Sequence, residues 1–335
     1  MAIWYDKALK NKMPNQNIPK NTTKTNTLLP RGLICCVMLL ILSCGNYANA
    51  QLTNIQSIYF QNQYLANPAM AGMEPQLNLN MDYHQQWIGV PGSPTLTTFT
   101  ADYNSGNKVG LGLNVYGNNA GLINRTRIMG TYAYHIRLND KGAKLSLGLS
   151  IGFGDAHISE NGIVGDQGDL AVSQFNSHGV YADGDIGVAY TSPKFNAQLS
   201  LPNLKRSFFQ SQADAVDVEA STFYAAMSYK IQLTYANNYS IFSIEPKIAY
   251  RGVMGYNNVF DVGFNLYRTT FEDNYQLNLQ GIYHSDNSLS WGLGIDYHTV
   301  GLLFTYTYNT GQLSSYANNT FELGISLKLL KKTTL

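Results

Sequence analysis

The residues able to do chemistry are few and scattered. Histidines stand at His84, His135, His157, His178, His284 and His298. No two are spaced i, i+2 or i, i+4, the spacings that bring two imidazoles to one side of a strand or helix around a metal ion. Carboxylates gather in Asp166-Gln167-Gly168-Asp169 and at Asp214, Asp217 and Glu219. Such groups can hold Ca²⁺ on a flexible loop. Neither run follows the twelve-residue Ca²⁺ loop, so a solvated loop is the simpler reading. Asp183 and Asp185 share one strand face with Gly187, assigned to the interior of the fold. They would line a permeation path or, more simply, hydrogen-bond their neighbours there. Serines are plentiful, but there is no Gly-x-Ser-x-Gly and no glycine-rich phosphate loop. The expectation is a non-enzyme with no catalytic residue, no cofactor and no bound metal.

Composition narrows what positions these residues. Only 13% of the 335 residues are charged, while Tyr occurs 24 times and Gly 30 times. Mean hydropathy is −0.17. Soluble domains carry about 25% charge, and helical membrane proteins need apolar runs of roughly 20 residues, which this sequence lacks. Six of the 22 basic residues and one of the 21 acidic ones precede residue 51, leaving 16 basic against 20 acidic. Nothing in that balance argues for nucleic acid.

The first fifty residues read as an export signal. Leu33–Ser43 is an apolar core too short to span a bilayer, Arg31 precedes it, and Ala48-Asn49-Ala50 forms an Ala-x-Ala cleavage site. The polar stretch before Arg31 is long, so the true start falls as readily at Met13. Cleavage after Ala50 removes all three cysteines, Cys35, Cys36 and Cys44, and with them any disulfide framework. The competing reading is lipidation at Cys44, where Ile41-Leu42-Ser43-Cys44 loosely resembles a lipobox.

Beyond residue 75 the pattern has period two. Leu77, Leu79, Met81 and Tyr83 alternate with Asn78, Asn80, Asp82 and His84. Leu145, Leu147, Leu149, Ile151 and Phe153 alternate with Ser146, Gly148, Ser150, Gly152 and Gly154. About fourteen such segments are predicted, near 76–86, 95–104, 108–117, 122–138, 144–155, 178–191, 194–201, 222–235, 239–251, 257–268, 273–284, 288–298, 300–309 and 319–329. A soluble sandwich also alternates. Three features favour a membrane barrel instead. The segments have the ten-residue length of a tilted spanning strand. Their second face is Gly, Ser, Asn and Asp, suited to a wet lumen, which receives Asp82, His84, Asp183 and Asp185. And strands cross lipid only when every backbone group is paired, which requires closure. Trp87, Tyr103, Tyr134, Tyr190, Tyr250 and Trp291 suit interfacial girdles, with a sugar-stacking platform as the rival reading. Short connections after even-numbered strands and longer ones after odd strands, especially 156–177 and 202–221, put both termini in the periplasm.

The predicted fold is therefore all-β: a closed antiparallel transmembrane barrel over 76–330 in the outer membrane, with a signal peptide at 1–50. Residues 51–75 stand apart, because Pro68 and Gly72 break regular structure. They are expected to form a small plug in the barrel or a partner surface, with Asn67, Pro68, Ala69, Ala71, Gly72 and Trp87 as the candidate residues.

Several short stretches, in order along the chain, resemble the PorP/SprF family of the Bacteroidetes type IX secretion system. Gln63-Tyr64-Leu65-Ala66-Asn67-Pro68-Ala69-Met70-Ala71-Gly72 is similar to the family's Asn-Pro-Ala-x-x-Gly signature, and Tyr83-His84-Gln85-Gln86-Trp87 to its Tyr-Arg-x-Gln-Trp segment. Val109-Gly110-Leu111-Gly112-Leu113, Tyr132-Ala133-Tyr134-His135-Ile136, Ser192-Pro193-Lys194-Phe195 with Leu201-Pro202-Asn203-Leu204, and Glu245-Pro246-Lys247 continue the match. Departures are His84 for the commoner Arg, Phe321-Glu322 for His-Glu, and a final strand ending on Leu329 and Lys331-Lys332. The resemblance implies an accessory barrel that supports secretion and surface retention of proteins with type IX C-terminal signal domains, gliding adhesins among them. It also implies a periplasmic peptidoglycan-binding component as partner, besides outer-membrane lipid. The alternative function is a transporter or porin for hydrophobic or small solutes. A barrel enzyme and a purely structural surface protein complete the field.

Overall fold

The computed structural model describes residues 57–106, 108–160, 170–177, 179–205, 221–236, 240–253, 257–270, 275–310 and 319–329. Three 3-10 turns come first, Ile58–Phe60, Gln63–Leu65 and Pro68–Met70. Strands β1 Leu77–Gln85, β2 Thr95–Gly106, β3 Val109–Ala120, β4 Ile123–Arg137 and β5 Lys144–Ile158 follow. After the short helix α1 (Leu170–Asn176) come β6 Tyr181–Thr191, β7 Phe195–Leu201, β8 Ser221–Tyr229, β9 Ile231–Ala236 and β10 Ser240–Val253. The last five are β11 Val259–Thr270, β12 Tyr275–His284, β13 Ser288–Tyr297, β14 Val300–Asn309 and β15 Thr320–Leu329.

Every pairing is antiparallel, and β1 pairs with β15 from Leu77↔Leu329 to Gln85↔Phe321, which closes the ring. Closure satisfies the backbone where no water can. The 15 strands make fourteen staves, because β8 and β9 pair with the two halves of β10. The sequence pattern reads 222–235 as one strand, and the structure breaks it at Lys230. The break falls opposite Pro246, between the Ile244↔Ile231 and Lys247↔Ser228 pairs. A proline has no N–H to give to a ladder. The Lys230 N–H donates instead to the Lys194 carbonyl at 2.6 Å.

Burial follows the alternation with apolar residues outside. In β5, Ser146, Ser150 and Gly152 are buried, whereas Ile151 and Phe153 are 64% and 63% exposed. In β13, Ser288 and Ser290 are buried while Leu289, Trp291 and Leu293 are exposed. A water-soluble sandwich would show the inverse; an apolar outer wall around a polar interior is the pattern of a barrel standing in lipid. Aromatic pairs decorate the outer wall, such as Tyr83–Phe321 at 5.9 Å and Trp291–Tyr306 at 5.8 Å.

The Leu77↔Leu329 pairing brings the first and last strands to the same end of the ring. Connections at this end are short, as at 192–194 and 298–299, whereas those between β5 and β6 and between β7 and β8 leave from the opposite end and are long. Within the first of these, predicted as loop over 156–177, β5 runs on to Ile158 and α1 forms. The Asn176 side chain ties the two together, accepting from the Ile158 N–H at 2.7 Å and donating to its carbonyl at 3.1 Å.

Candidate functional site

The inward faces of the strands converge on residues 57–73. Ser57, Tyr59, Asn67, Ala69 and Ala71 have no measurable exposure. Local sequence shapes this stretch. Asn67 caps the third turn, its side chain accepting from the Ala69 N–H at 3.0 Å, with Pro68 at the first turn position. Gly72 then leaves it at φ +66°, a conformation that suits glycine. The barrel wall makes room. A methyl group on Gly148 would overlap the Pro68–Ala69 peptide, and one on Gly187 the Asn67 carboxamide. These strand glycines set how closely the segment approaches.

Two buried polar clusters hold the first turn. The Glu322 carboxylate accepts from the Ser57 N–H at 3.2 Å, from the Ser57 hydroxyl, and sits 2.9 Å from His84 Nδ1. The Tyr59 hydroxyl donates to Asp261, which also receives Arg251 Nε at 2.7 Å and lies 2.6 Å from His284 Nδ1. The chain of contacts continues from His284 to Ser290 and Thr307. Burial, and then the Asp261 charge, push the Tyr59 phenol well above its ordinary value, so it stays a donor. Lys247 donates to the Tyr59 carbonyl at 3.4 Å and lies 4.6 Å over the Phe60 ring.

The rest of the segment is tied to other strands. Gln63 Oε1 accepts from Asn196 at 2.7 Å and Gln198 at 2.5 Å, and Ser200 donates to the Ala66 carbonyl at 2.6 Å. The Tyr64 hydroxyl meets Thr131 at 2.7 Å. Asn67 Nδ2 donates to the Val188 carbonyl at 3.1 Å. His135 Nε2 donates to the Ala71 carbonyl at 3.0 Å, and the Gly72 N–H to Asp102 at 2.9 Å. These partners come from β2, β4, β6, β7, β10, β11 and β15.

The other sequence candidates sort plainly. Asp82 is buried and accepts from Thr98 at 3.1 Å. Asp183 and Asp185 both face Arg127, at 2.8 and 2.7 Å. They also accept from the Lys205 and Asn203 N–H groups at 2.9 Å each, which draws the chain after β7 back over the wall. Trp87 does not join Asn67–Gly72. It lies in the β1–β2 connection at φ 50°, at the opposite end from Gly72, which abuts Gly110 and Tyr103. Asp166, Asp169, Asp214, Asp217, Glu219 and His178 lie outside the described residues, as do residues 1–56. Sequence reading missed Ser57, Tyr59, Arg251, Asp261, His284 and Glu322 as a group. Strand parity could have found four of them, since each is a charged or ionisable residue at an inward position.

A family model for the type IX secretion system membrane protein PorP/SprF matches residues 48–327. The chain belongs to the PorP/SprF family. It is an outer-membrane β-barrel of type IX secretion. Comparison with curated proteins gives no match. Among solved structures, Omp33 of Acinetobacter baumannii is similar at 9% identity and TM-score 0.39, over 77% of this chain and 100% of that one. The toluene transporter TbuX of Ralstonia pickettii is similar at 11% identity and TM-score 0.43, over 86% and 100%. Likeness at that level carries nothing about function. In this PorP/SprF barrel, residues 57–73 make polar contacts with the inward faces of the strands. Carboxylates meet guanidinium, imidazole and hydroxyl groups, and the Ser290–His284–Asp261 relay is buried throughout.

Proposed function

We propose that this PorP/SprF barrel is a non-enzymatic accessory of type IX secretion, supporting export and surface retention of proteins with C-terminal signal domains, gliding adhesins among them. A periplasmic peptidoglycan-binding component is its partner at the end where β1 begins and β15 ends, in keeping with the short turns at that end. Residues 57–73 act as a plug. The observation that carries this reading is the lumen itself: its wall is hydrogen-bonded to its own N-terminal residues, from Ser57–Glu322 to Gly72–Asp102. A barrel filled in this way serves as a docking body rather than a wide solute channel.

Affinity purification from native outer membrane tests it. The expected result is recovery of a secreted protein bearing a C-terminal signal domain, together with a periplasmic partner. Loss of the gene should release that cargo from the cell surface. Deleting residues 51–75 should stop secretion while the barrel still assembles. Normal secretion and retention in that deletion strain would reject the plug's functional role.

A further inference from the structure

The segment 57–73 leaves one large space unfilled. A cavity of about 440 Å³ lies between it and the wall made by β12, β13, β14, β15 and β1. Asn278, Gly294, Gly301 and Asn78, which line it, all stand within three residues of the strand ends at the termini side. The cavity therefore belongs to that half of the barrel.

Its walls differ in chemistry. On β12, Gln276 and Asn278 point in at alternate positions; on β1, Asn78 and Asn80 do the same. Between these two amide ladders the floor has glycines at Gly294, Gly301 and Gly324, with the Asp296 and Ser326 side chains lying over Gly301 and that of Asp82 over Gly324. Across the space, the segment contributes Met70 and Met73, flexible apolar side chains that adapt to varied partners. Three lining amides are incomplete. Asn278 Oδ1, Asn196 Oδ1 and Gln61 Nε2 are shielded from solvent with no hydrogen-bond partner among the described residues. Charge is also unbalanced: with Asp296 paired to Lys328 at 3.6 Å, Glu74, Asp82 and Asp102 remain against Lys230.

We infer that this cavity is a docking site for an extended, basic peptide segment of the periplasmic partner. Alternate amides along one strand are spaced roughly 6.5–7 Å apart, the repeat of like-facing groups on an extended chain. Amide walls hydrogen-bond main chain without selecting side chains, the methionines take apolar side chains on the opposite edge, and the excess carboxylates favour Lys or Arg. A sugar ligand would call for exposed aromatic faces, which are scarce on these walls. The inference rests on the function proposed above, and its failure is separable from failure of that reading.

The test places the photocrosslinker p-benzoylphenylalanine at Ser326, whose side chain is on the cavity face, and at Ile325, whose backbone lines the cavity but whose side chain is exposed on the outer wall. Both are expressed in native cells, with heat-modifiable gel mobility reporting barrel assembly. The expected result is a protease-sensitive crosslink from Ser326, and none from Ile325, to the periplasmic protein that co-purifies with the wild-type barrel. The crosslinked peptide should carry Lys or Arg. Ser326→Trp, which fills the space, should cut co-purification at least tenfold, and Ile325→Trp should leave it unchanged. Should position 326 impair assembly, Asn278 and outward Leu279 replace the pair. Undiminished co-purification with Ser326→Trp, absence of the crosslink while the partner still co-purifies, or a protease-resistant glycan adduct would each overturn the site while leaving the function reading intact. Absence of any periplasmic partner would overturn both.

Discussion

The Glu322 carboxylate, near the start of the last strand, accepts from both the main-chain N–H and the hydroxyl of Ser57, 265 residues earlier in the chain. The same carboxylate sits 2.9 Å from His84 on the neighbouring first strand. The N-terminal segment is thereby fastened across the seam that closes the barrel. Glu322→Ala strands a buried imidazole and an N–H together, and should cost roughly 3 kcal/mol. Glu322→Gln keeps an acceptor and should cost less than half as much. Urea-induced unfolding in lipid vesicles, followed by tryptophan fluorescence, measures both. Equal effects would show that the bond to Ser57 contributes little.

Asp261 is the centre of the second fastening, shared by Tyr59, Arg251 and His284. Asp261→Ala removes the group that Arg251, His284 and Tyr59 all meet and should destabilise by about 3–5 kcal/mol, whereas Arg251→Ala removes one of the three and should cost less. The double variant removes both charges and should cost about 1–3 kcal/mol less than the sum. Additive losses in a double-mutant cycle would contradict the pairing.

Strand glycines make opposite predictions according to the side they face. A methyl group on outward Gly130 meets only the Ile151 carbonyl at 3.8 Å, so Gly130→Ala should be neutral to within about 0.5 kcal/mol. Gly148→Val would overlap the Pro68–Ala69 peptide and should displace the segment from an assembled barrel. Limited chymotrypsin digestion reads this directly. Tyr59, Phe60 and Tyr64 are buried in the native chain and should become cleavable in Gly148→Val alone. Equal resistance in both variants would contradict the fit.

The barrel was legible because lipid and lumen impose a strict period of two. Leu147, Leu149 and Ile151 against Ser146, Gly148 and Ser150 leave no other reading once segment length and closure are considered. Pro68 and Gly72 marked the stretch before β1 as irregular, yet nothing local in Ser57 or Tyr59 announced their partners more than 200 residues away. Such contacts depend on which strands face one another across the lumen, and that is a property of closure and tilt rather than of any window of sequence. Trp87 closes the family-like stretch Tyr83–Trp87 and sits at the barrel end opposite Gly72, because β1 carries the chain from one end to the other. The break at Lys230 was readable in principle from Pro246, but only once β10 and β8 were known to be neighbours.

Planar-bilayer conductance of the purified chain, intact and lacking residues 57–73, bears most directly on the claim that this barrel is closed by its own N-terminal segment and does not serve as a solute pore. The intact chain should be electrically silent, and the deletion variant, assembled by gel mobility, should show discrete ionic steps. Open-pore steps of the same size from the intact chain and the deletion variant would contradict the account.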